Sequence, residues 1–396
     1  MFDKVYLDWA ATAPLCEESA EAMAPYLVPG LENLAVGGNA NSLYSVGRKA
    51  FAALEGARES LAQDLHAGRP DEVVFTSGAT EANNAALRGI VSACEKRARQ
   101  QGRRGFVPHI VVSAIEHDAV LETARALKAQ GCELTVLSPD KDGFIDPGSF
   151  ADALQDNTVL ASVQTANNEV GTVQAISELA SLAHGAGVLF HTDGVQALGK
   201  APFDLAGSGV DAASFSAHKV GGPKGVGALY LKAGTPFDAC LTGGGQEGGK
   251  RSGTQNVCGA VGFAAACQAA CGRQGEEARR LMGLRDRLYE GLAAFGCVSP
   301  SVAVPAGSLG FLPHIVNVCV KGFESETLIL RLDRAGFAVS GGSACSSHSL
   351  DPSHVLSAIG IPREQAYGSL RMSLGLYTTQ DDIDAFLEAF RSCINE

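Results

Sequence analysis

The sequence has no cysteine pair spaced C-x-x-C, although 11 cysteines occur among its 396 residues. They are scattered, and the closest two, Cys267 and Cys271, lie one helical turn apart in an alanine-rich stretch. Zinc and iron–sulfur sites ordinarily use closely spaced cysteine pairs. We therefore expect no metal site built by this chain, and we expect most cysteines to be small buried hydrophobic side chains.

Long apolar runs and a targeting segment are also lacking. No run of 18 or more apolar residues occurs, which argues against a transmembrane helix. The first residues, MFDKVYLDWAATAP, lack the basic and then apolar order of a secretory signal. We therefore expect a cytoplasmic protein without direct membrane contact.

Positive charge is scarce, with 31 lysines and arginines against 43 acidic residues and a formal net charge of −12. This balance argues against nonspecific binding to nucleic acids or anionic membranes. The length and the 46% hydrophobic content allow two or three domains with sizeable cores. The 47 glycines lie mainly at predicted strand ends, which is typical of an α/β enzyme.

Between residues 70 and 230, short apolar strands alternate with helical stretches. This alternation predicts a mostly parallel sheet with helices on both faces. Such sheets bind ligands at the carboxyl ends of their strands. Six residues of suitable chemistry lie at or just past predicted strand ends: Thr80, His117, Asn168, Asp193, Gln196 and Lys219.

The rest of the chain predicts a second, smaller domain. A long helix over 256–296 follows a loop-rich segment, and strands and helices alternate over 300–396. We divide the chain into an N-terminal segment (1–14) that packs with the small domain, a large domain (15–255), and a connecting helix with a small α+β domain (256–396).

Lys219 lies in a glycine-rich turn between two buried strands, in VDAASFSAHKVGGPKGVGALY (210–230). Burial lowers the pKa of a lysine, as an amine that forms an imine requires. A single His-Lys pair is more often a solvated turn. The functional interpretation is a Schiff-base lysine for pyridoxal 5′-phosphate (PLP). The other residues near the strand ends decide between a solvated lysine and a Schiff-base lysine.

Each further requirement of PLP is met once. Asp193 suits the pyridine nitrogen, because a nearby acid keeps that nitrogen protonated and the ring an electron sink. A strand and a turn of small residues lead into a helix that starts at residue 79, and the N-terminus of such a helix can bind a phosphate. An ordinary capped helix has the same pattern. The remaining candidates are Ala79, Thr80, Ser216 and His218 for the phosphate, His117 for stacking on the ring, and Asn168 or Gln196 for the ring oxygen.

Two residues in the C-terminal part have a catalytic or binding interpretation. Cys345 lies in the small-residue run SGGSACSSH, which is typical of an accessible nucleophile, although a structural role is the commoner one for a cysteine. Arg371 lies in an apolar run and needs an acidic partner, either a protein carboxylate or the α-carboxylate of an amino acid.

The motifs resemble those of the NifS/IscS-type cysteine desulfurases, PLP enzymes of fold type I related to the class V aminotransferases. The fold that this resemblance implies is a mostly parallel, seven-stranded sheet covered by helices, plus a smaller α+β domain. Three matches are the most specific: HK followed by GPKG, the segment RSGT, and the segment GSACSS. The matching segments run along nearly the whole chain: LDWAATAP, FTSGATEANN, the EH of IEHDAV, NNEVG, HTDGVQ, SFSAHKVGGPKGVGALY, GGGQEGGKRSGT, SGGSACSS and RMSLG.

The resemblance also implies a role for each matching residue. Lys219 would form the Schiff base and move protons, His117 would stack on the ring, and Cys345 would accept sulfur. Thr254 would complete the phosphate site of a neighbouring subunit, which implies a homodimer. The other implied contacts are Asp193 with the pyridinium, Asn168 and Gln196 with the ring hydroxyl, Ala79, Thr80, Ser216 and His218 with the phosphate, and Arg371 with Asn39 at the substrate.

The implied reaction converts L-cysteine to L-alanine and leaves a persulfide on Cys345 for a sulfur-acceptor protein. The acceptor would serve iron–sulfur cluster assembly, as a scaffold protein does, or tRNA or cofactor thiolation. Residues 38–44 read GNANSLY where the family has G-N-P-x-S-x-H, and Asp118 stands where a lysine is common. We also expect the chain to lack the longer tail by which many IscS-type members dock a scaffold.

Three alternatives remain open at this point. Selenocysteine lyase activity uses the same fold and does not require Cys345. A class V aminotransferase needs no mobile thiol. A non-catalytic sulfur-relay or scaffold protein is disfavoured, because Lys219 and Asp193 are both present.

Overall fold

The structure is a computed structural model that describes residues 4–341 and 352–395. Its strands are β1 (Val5–Tyr6), β2 (Val73–Thr76), β3 (His109–Ser113), β4 (Glu133–Leu137), β5 (Thr158–Ser162), β6 (Leu189–Asp193), β7 (Ala212–Ser216), β8 (Gly227–Leu231), β9 (Val298–Pro300), β10 (Ile315–Val320), β11 (Phe337–Ala338) and β12 (Ser369–Ser373).

The α-helices in these ranges are α1 (Glu17–Met23), α2 (Ser45–Asp64), α3 (Ala79–Gln100), α4 (Asp118–Ala129), α5 (Pro147–Asp152), α6 (Ile176–Gly185), α7 (Leu205–Ser208), α8 (Val257–Ala293), α9 (Ser325–Arg334), α10 (His354–Ala358), α11 (Arg363–Ala366) and α12 (Gln380–Asn395). Short 3₁₀ turns cover Ala24–Leu27, Gly30–Ala35, Pro70–Glu72, Ala217–Lys219 and Glu247–Gly249. None of the helices in the described ranges has the length and apolarity needed to cross a bilayer.

A seven-stranded sheet in the order β2-β8-β7-β6-β5-β3-β4 forms the centre of the molecule. Strands β3 to β7 pair in parallel, whereas β8 is antiparallel to both of its neighbours. The prediction of a mostly parallel, seven-stranded sheet is therefore confirmed. The strand order places the carboxyl ends of β5, β6 and β7 side by side.

Both faces of this sheet are buried, as the continuous apolar strands require. Because side chains alternate between faces, Ile110 and Val112 pack with helix α3 on one face, while Val111 packs in the cluster on the other face. Phe190 and Phe215 belong to that second cluster. The sheet is thus held from both sides, which fixes the strand ends that carry the polar residues.

Two smaller sheets lie in the remainder of the chain. Strand β10 pairs antiparallel with β12 and β9, and β1 pairs in parallel with β11. An isolated bridge joins Asp8 to Ser373, so the N-terminal segment runs beside the strand that carries Arg371. The domain boundaries given above stay a prediction.

Helix α8 spans 37 residues and begins at Val257, and the side chain of the preceding Asn256 accepts a hydrogen bond from the Gly259 amide. The first part of α8 contributes Phe263 to the cluster beneath the large sheet. The last part contributes Leu284 and Leu288 to the cluster beside β10 and β12. One helix therefore belongs to two hydrophobic cores.

Some expectations differ from the structure. Strand β12 was predicted only as an apolar run, and β9 was not predicted at all. Of the ten cysteines in the described ranges, four are buried, namely Cys16, Cys267, Cys319 and Cys393, so the expectation that most would be buried is wrong. Cys240, in the loop after β8, is exposed.

Candidate active site

The predicted residues meet at one edge of the large sheet, where strand ends and turns enclose a cleft of about 500 Å³. Asn39 and Thr254 are exposed and do not line this cleft, and Cys345 lies outside the described residues. Ten of the predicted residues line it: Ala79, Thr80, His117, Asn168, Asp193, Gln196, Ser216, His218, Lys219 and Arg371.

Lys219 ends the 3₁₀ turn that follows β7. Its Nζ donates hydrogen bonds to the carbonyl oxygens of Ala10 at 2.7 Å and Ala11 at 2.8 Å. Carbonyl oxygens hold an amine by its protons without bringing a formal negative charge. Gly221, two residues after this turn, has φ +87°, a conformation that favours glycine, so the glycine there allows the chain to leave the turn that places Lys219 at the strand end.

Asp193 ends strand β6 and is buried. Its Oδ2 accepts a hydrogen bond from Asn83 Nδ2 at 2.7 Å, and its Oδ1 accepts from the Val195 amide at 3.0 Å. These two bonds fix the carboxylate within the cleft. Asn83 was not predicted, although its place one turn into the helix of FTSGATEANN was a usable signal.

The N-terminus of helix α3 opens into the cleft at Ala79 and Thr80. Gly78 precedes the helix and has no side chain to cap it, so backbone N–H groups of the first turn remain available to an anion. A Cβ atom on Gly227 of β8 would lie 2.7 Å from the Gly78 Cα atom. Glycine at 227 therefore permits the close approach that positions this turn.

A carboxylate beside this helix terminus is held by an arginine. Arg251 forms two hydrogen bonds with Glu81, at 2.7 Å and 3.1 Å, and the Ser77 amide donates to the same carboxylate at 2.7 Å. Burial raises the pKa of the Glu81 carboxyl, but the hydrogen bonds from Arg251 and Ser77 outweigh this effect and hold the pKa below its ordinary value. The pair also anchors the RSGT segment, which carries Thr254, beside the helix terminus.

A second ion pair holds the loop that contains the RSGT segment. Arg58 binds Glu247 through two hydrogen bonds, at 2.6 Å and 3.0 Å, and both side chains are buried. Glu247 also accepts from the Phe75 amide at 2.9 Å. The loop that contains Thr254 is therefore fixed against α2 and β2.

His117 precedes helix α4, and its Nδ1 accepts a hydrogen bond from the Ala119 amide at 3.0 Å. This contact sets the ring orientation at the cleft. Glu116, the preceding residue, is fully buried, and its Oε1 accepts from the Gln164 amide at 2.7 Å. Burial raises the pKa of the Glu116 carboxyl to about 8.

His218 precedes Lys219 in the chain, lines the cleft and hydrogen-bonds the Thr12 hydroxyl through Nδ1 at 3.1 Å. Burial, together with the positive charges of Lys219, Lys224 and Lys200, lowers the pKa of His218 to about 4. A neutral imidazole can donate a hydrogen bond to an anion without adding a formal charge.

Arg371 lies on β12 and is almost fully buried at 1% exposure. Its Nη2 donates to Asp8 Oδ1 at 2.8 Å and its Nη1 to the Asn168 carbonyl oxygen at 3.0 Å. The acidic partner that its sequence position demands is thus a protein carboxylate here. Its Nε is buried without a hydrogen-bond partner in the described ranges.

The cleft joins an amine, a fixed carboxylate and a helix N-terminus, which is a set suited to a phosphorylated cofactor with a basic ring nitrogen and a carbonyl group. No group of three or more metal-ligating side chains occurs in the part of the chain that the structure describes. The polar side chains in or beside the cleft that were not predicted include Asn83, Gln164, Lys224 and Asp8.

The family model described as aminotransferase class-V matches residues 5–386. A cysteine desulfurase IscS of Dictyoglomus turgidum is 42% identical over 99% of this chain and 95% of that protein. The IscS of Methanosarcina thermophila is 43% identical over 97% of this chain and 90% of that protein.

Solved structures agree with these matches. A NifS-like protein superposes with a TM-score of 0.88 at 34% identity and covers 99% of each chain. The structure of SspA in complex with cysteine superposes with a TM-score of 0.78 at 31% identity, covering 95% of this chain and all of that one. The fold class implied by the sequence motifs is therefore confirmed.

Proposed function

Because the chain belongs to the class-V aminotransferase family and matches its IscS-type cysteine desulfurases along its whole length, we propose that it is a PLP-dependent cysteine desulfurase. The observation that carries this proposal is the meeting of Lys219, Asp193 and the α3 N-terminus in one cleft. The proposed reaction converts L-cysteine to L-alanine and transfers the sulfur to Cys345.

The described residues fit the cofactor. PLP supplies, when bound, an electron-accepting ring that stabilises negative charge on the substrate's α-carbon. Asp193 would hold a proton at the ring nitrogen, and the α3 N-terminus with Thr80 would bind the phosphate. The other assigned contacts are Ala79, Ser216 and His218 at the phosphate, His117 on the ring face, and Asn168 and Gln196 near the ring oxygen.

Lys219 would bind the cofactor covalently and carry the proton of the substrate α-carbon. The carbonyl oxygens of Ala10 and Ala11 hold its Nζ in the cleft. They accept hydrogen bonds and bring no formal charge. Release of these two hydrogen bonds therefore separates no opposite charges.

Arg371 would bind the substrate carboxylate, with Asn39 in a supporting role. Two features support this role: its guanidinium lines the cleft, and its buried Nε lacks a partner among the described residues. Asp8 already neutralises part of its charge. The substrate carboxylate would therefore share the guanidinium with Asp8.

Cys345 would act as the sulfur acceptor. Its thiolate forms a bond to the substrate sulfur, and the carbon–sulfur bond breaks. The electron pair stays on the substrate carbon, which takes up a proton to give alanine. The persulfide on Cys345 is then available to an acceptor protein, for which an iron–sulfur scaffold is one candidate and a partner in tRNA or cofactor thiolation another.

The proposed enzyme is a cytoplasmic homodimer. Thr254 is exposed and does not line the cleft of its own chain, although two ion pairs hold its loop rigidly. An ordered loop at the surface suits a residue that completes the phosphate site of a second copy.

The test uses purified protein supplied with PLP. We expect a yellow protein that forms equal amounts of alanine and sulfide from L-cysteine and a reductant. Cys345→Ala should keep the colour and lose the sulfide, whereas Lys219→Ala should lose turnover altogether. A colourless protein in the presence of PLP would refute the cofactor assignment.

The same variants separate the alternatives. Transamination that persists in Cys345→Ala, with L-cysteine inert, would identify an aminotransferase. Release of selenide from selenocysteine by Cys345→Ala, again with L-cysteine inert, would identify a selenocysteine lyase. A protein that binds PLP and turns over none of these substrates would fit a relay or scaffold protein.

A further inference from the structure

A second cavity, of about 100 Å³, shares only Lys219 with the active-site cleft. Its walls are largely apolar and include the side chains of Trp9, Leu281 and Leu374. The basic side chains that line it are Lys219, Arg273 and two further residues, Lys200 and His314. None of the roles proposed above uses these two residues.

Lys200 is a positive group without a carboxylate partner in the described ranges. Its Nζ donates to the neutral side-chain oxygen of Gln196 at 3.1 Å, and no ion pair among the described residues includes it. The carboxylate of Glu277 lines the cavity, but Arg280 binds it through two hydrogen bonds at 2.6 Å and 2.9 Å. An ammonium with two remaining protons and no counter-charge favours an anion.

His314 gives a second, independent indication of a ligand. It is 1% exposed, and neither ring nitrogen has a hydrogen-bond partner within the described part of the chain. Buried polar groups in proteins almost always have such a partner. Burial, with the charges of Lys200 and Arg371, holds the pKa of His314 well below its ordinary range, so the ring is neutral and has one N–H to donate.

We propose that this cavity binds a small monovalent anion between Lys200 and His314, and that it prefers hydrosulfide to chloride. The preference follows from the apolar walls, because a weakly hydrated anion loses less solvation when it enters an apolar cavity. Hydrosulfide is also the form in which a desulfurase releases sulfur to a reductant. The anion site itself stands without the proposed function, since neither Lys200 nor His314 has a role in the proposed reaction.

The chain contains one tryptophan, and this residue, Trp9, lines the cavity. Iodide, a monovalent anion that is weakly hydrated because of its size, quenches tryptophan fluorescence on contact. We therefore propose an iodide titration of the holoenzyme at constant ionic strength. Iodide bound beside Trp9 should quench saturably, whereas random collisions quench linearly with concentration.

The Lys200→Met variant should weaken the saturable iodide binding at least tenfold. Lys141→Met is the matched control, because Lys141 is exposed and far from Trp9 in the sequence, and it should quench like the wild type. His314→Gln keeps a polar group and should bind iodide more weakly than the wild type. Linear quenching that is identical in wild type and Lys200→Met would overturn the proposal.

Competition identifies the preferred anion. Under anaerobic conditions, hydrosulfide should displace iodide at lower concentration than chloride does. Chloride that competes equally or better would overturn the stated preference. Because fluorescence reports binding and not turnover, the result stands apart from any test of desulfurase activity.

Iodide binding should also weaken from pH 6 to pH 8. Burial and the charges of Lys219 and Arg371 lower the pKa of Lys200 to about 7, so Lys200 loses its proton within this range. The other titratable groups that line the cavity are Lys219, His314, Arg273, Glu277, Cys16 and Tyr377. Burial holds the pKa of His314 well below its ordinary range, so its ring stays neutral over this interval. An affinity that is constant with pH would therefore argue against Lys200 as the anion-binding group.

Discussion

Asn83 donates a hydrogen bond to Asp193 across 110 residues of sequence, from Nδ2 to Oδ2 at 2.7 Å. The bond ties the second turn of α3 to the end of β6. The helix that would bind the cofactor phosphate therefore also orients the carboxylate that would face the cofactor ring. Both contacts with the cofactor depend on one helix position.

The Asn83→Leu variant should bind PLP about tenfold more weakly, because a hydrogen bond to a charged group is lost and one Asp193 oxygen is left unsatisfied. Titration of the apoprotein with PLP, followed by its visible absorption, measures this affinity. Asn84→Leu is the neighbouring control, since within the described ranges the Asn84 side chain bonds only the Thr80 carbonyl and Arg88. An equal loss of PLP affinity in both variants would show that the substitutions act through a general effect on helix α3.

The Arg251→Ala variant should also weaken PLP binding, by about tenfold, because it leaves the Glu81 carboxylate unpaired beside the site proposed for a phosphate. The Glu81→Gln/Arg251→Ala double variant should recover most of this affinity, since the negative charge is then removed. A double variant as weak as the single one would mean that Arg251 acts by holding the RSGT loop.

The Arg371→Lys variant should raise the KM for L-cysteine by about tenfold or more, because a lysine cannot form a two-point contact with a carboxylate. Its PLP affinity should stay close to that of the wild type. Steady-state kinetics and the cofactor titration together measure the two effects. A fall in kcat at unchanged KM would contradict a role in substrate binding.

We expect the free energy of unfolding to depend on pH through the carboxyl group of Asp64. Burial raises the pKa of its carboxyl from 3.8 to about 6, against an opposing effect of His66. The folded state therefore binds this proton more tightly, and the resulting stability is lost as the pH rises from about 4 through about 6.

Asp64→Asn should accordingly raise the Tm by roughly 1–2 °C at pH 7.5 and change it little at pH 4.5. Thermal unfolding followed by circular dichroism at both pH values checks this. The exposed Asp156→Asn variant serves as the control. A stabilisation that is the same at both pH values would exclude the titration of Asp64 as its cause.

The sequence predicted the strands and helices that surround the cleft because their apolar patterns are long and regular. It also predicted Lys219 and Asp193, since each lies at a strand end within a recognisable motif. Arg371 was expected to need an acidic partner, but the sequence could not predict that this partner is Asp8. The two residues are 363 positions apart, and only the pairing of the N-terminal segment with β11 and β12 brings them together.

The same limit applies to contacts without a motif. Arg58 and Glu247 are separated by 189 residues, and neither position has a local pattern that indicates its partner. His314 and Lys200 meet at one cavity for the same reason. Local periodicity determines the elements, whereas the packing of distant elements determines which polar side chains meet.

Helix α8 gives the molecule a thermodynamic property that its two cores alone would not. It contributes Phe263 to one core and Leu288 to the other without a break in its backbone hydrogen bonds. Melting either core frees part of this helix and removes support from the other part. The two cores should therefore unfold in one heat-absorption peak, and a denaturant should leave no intermediate that keeps only one of them.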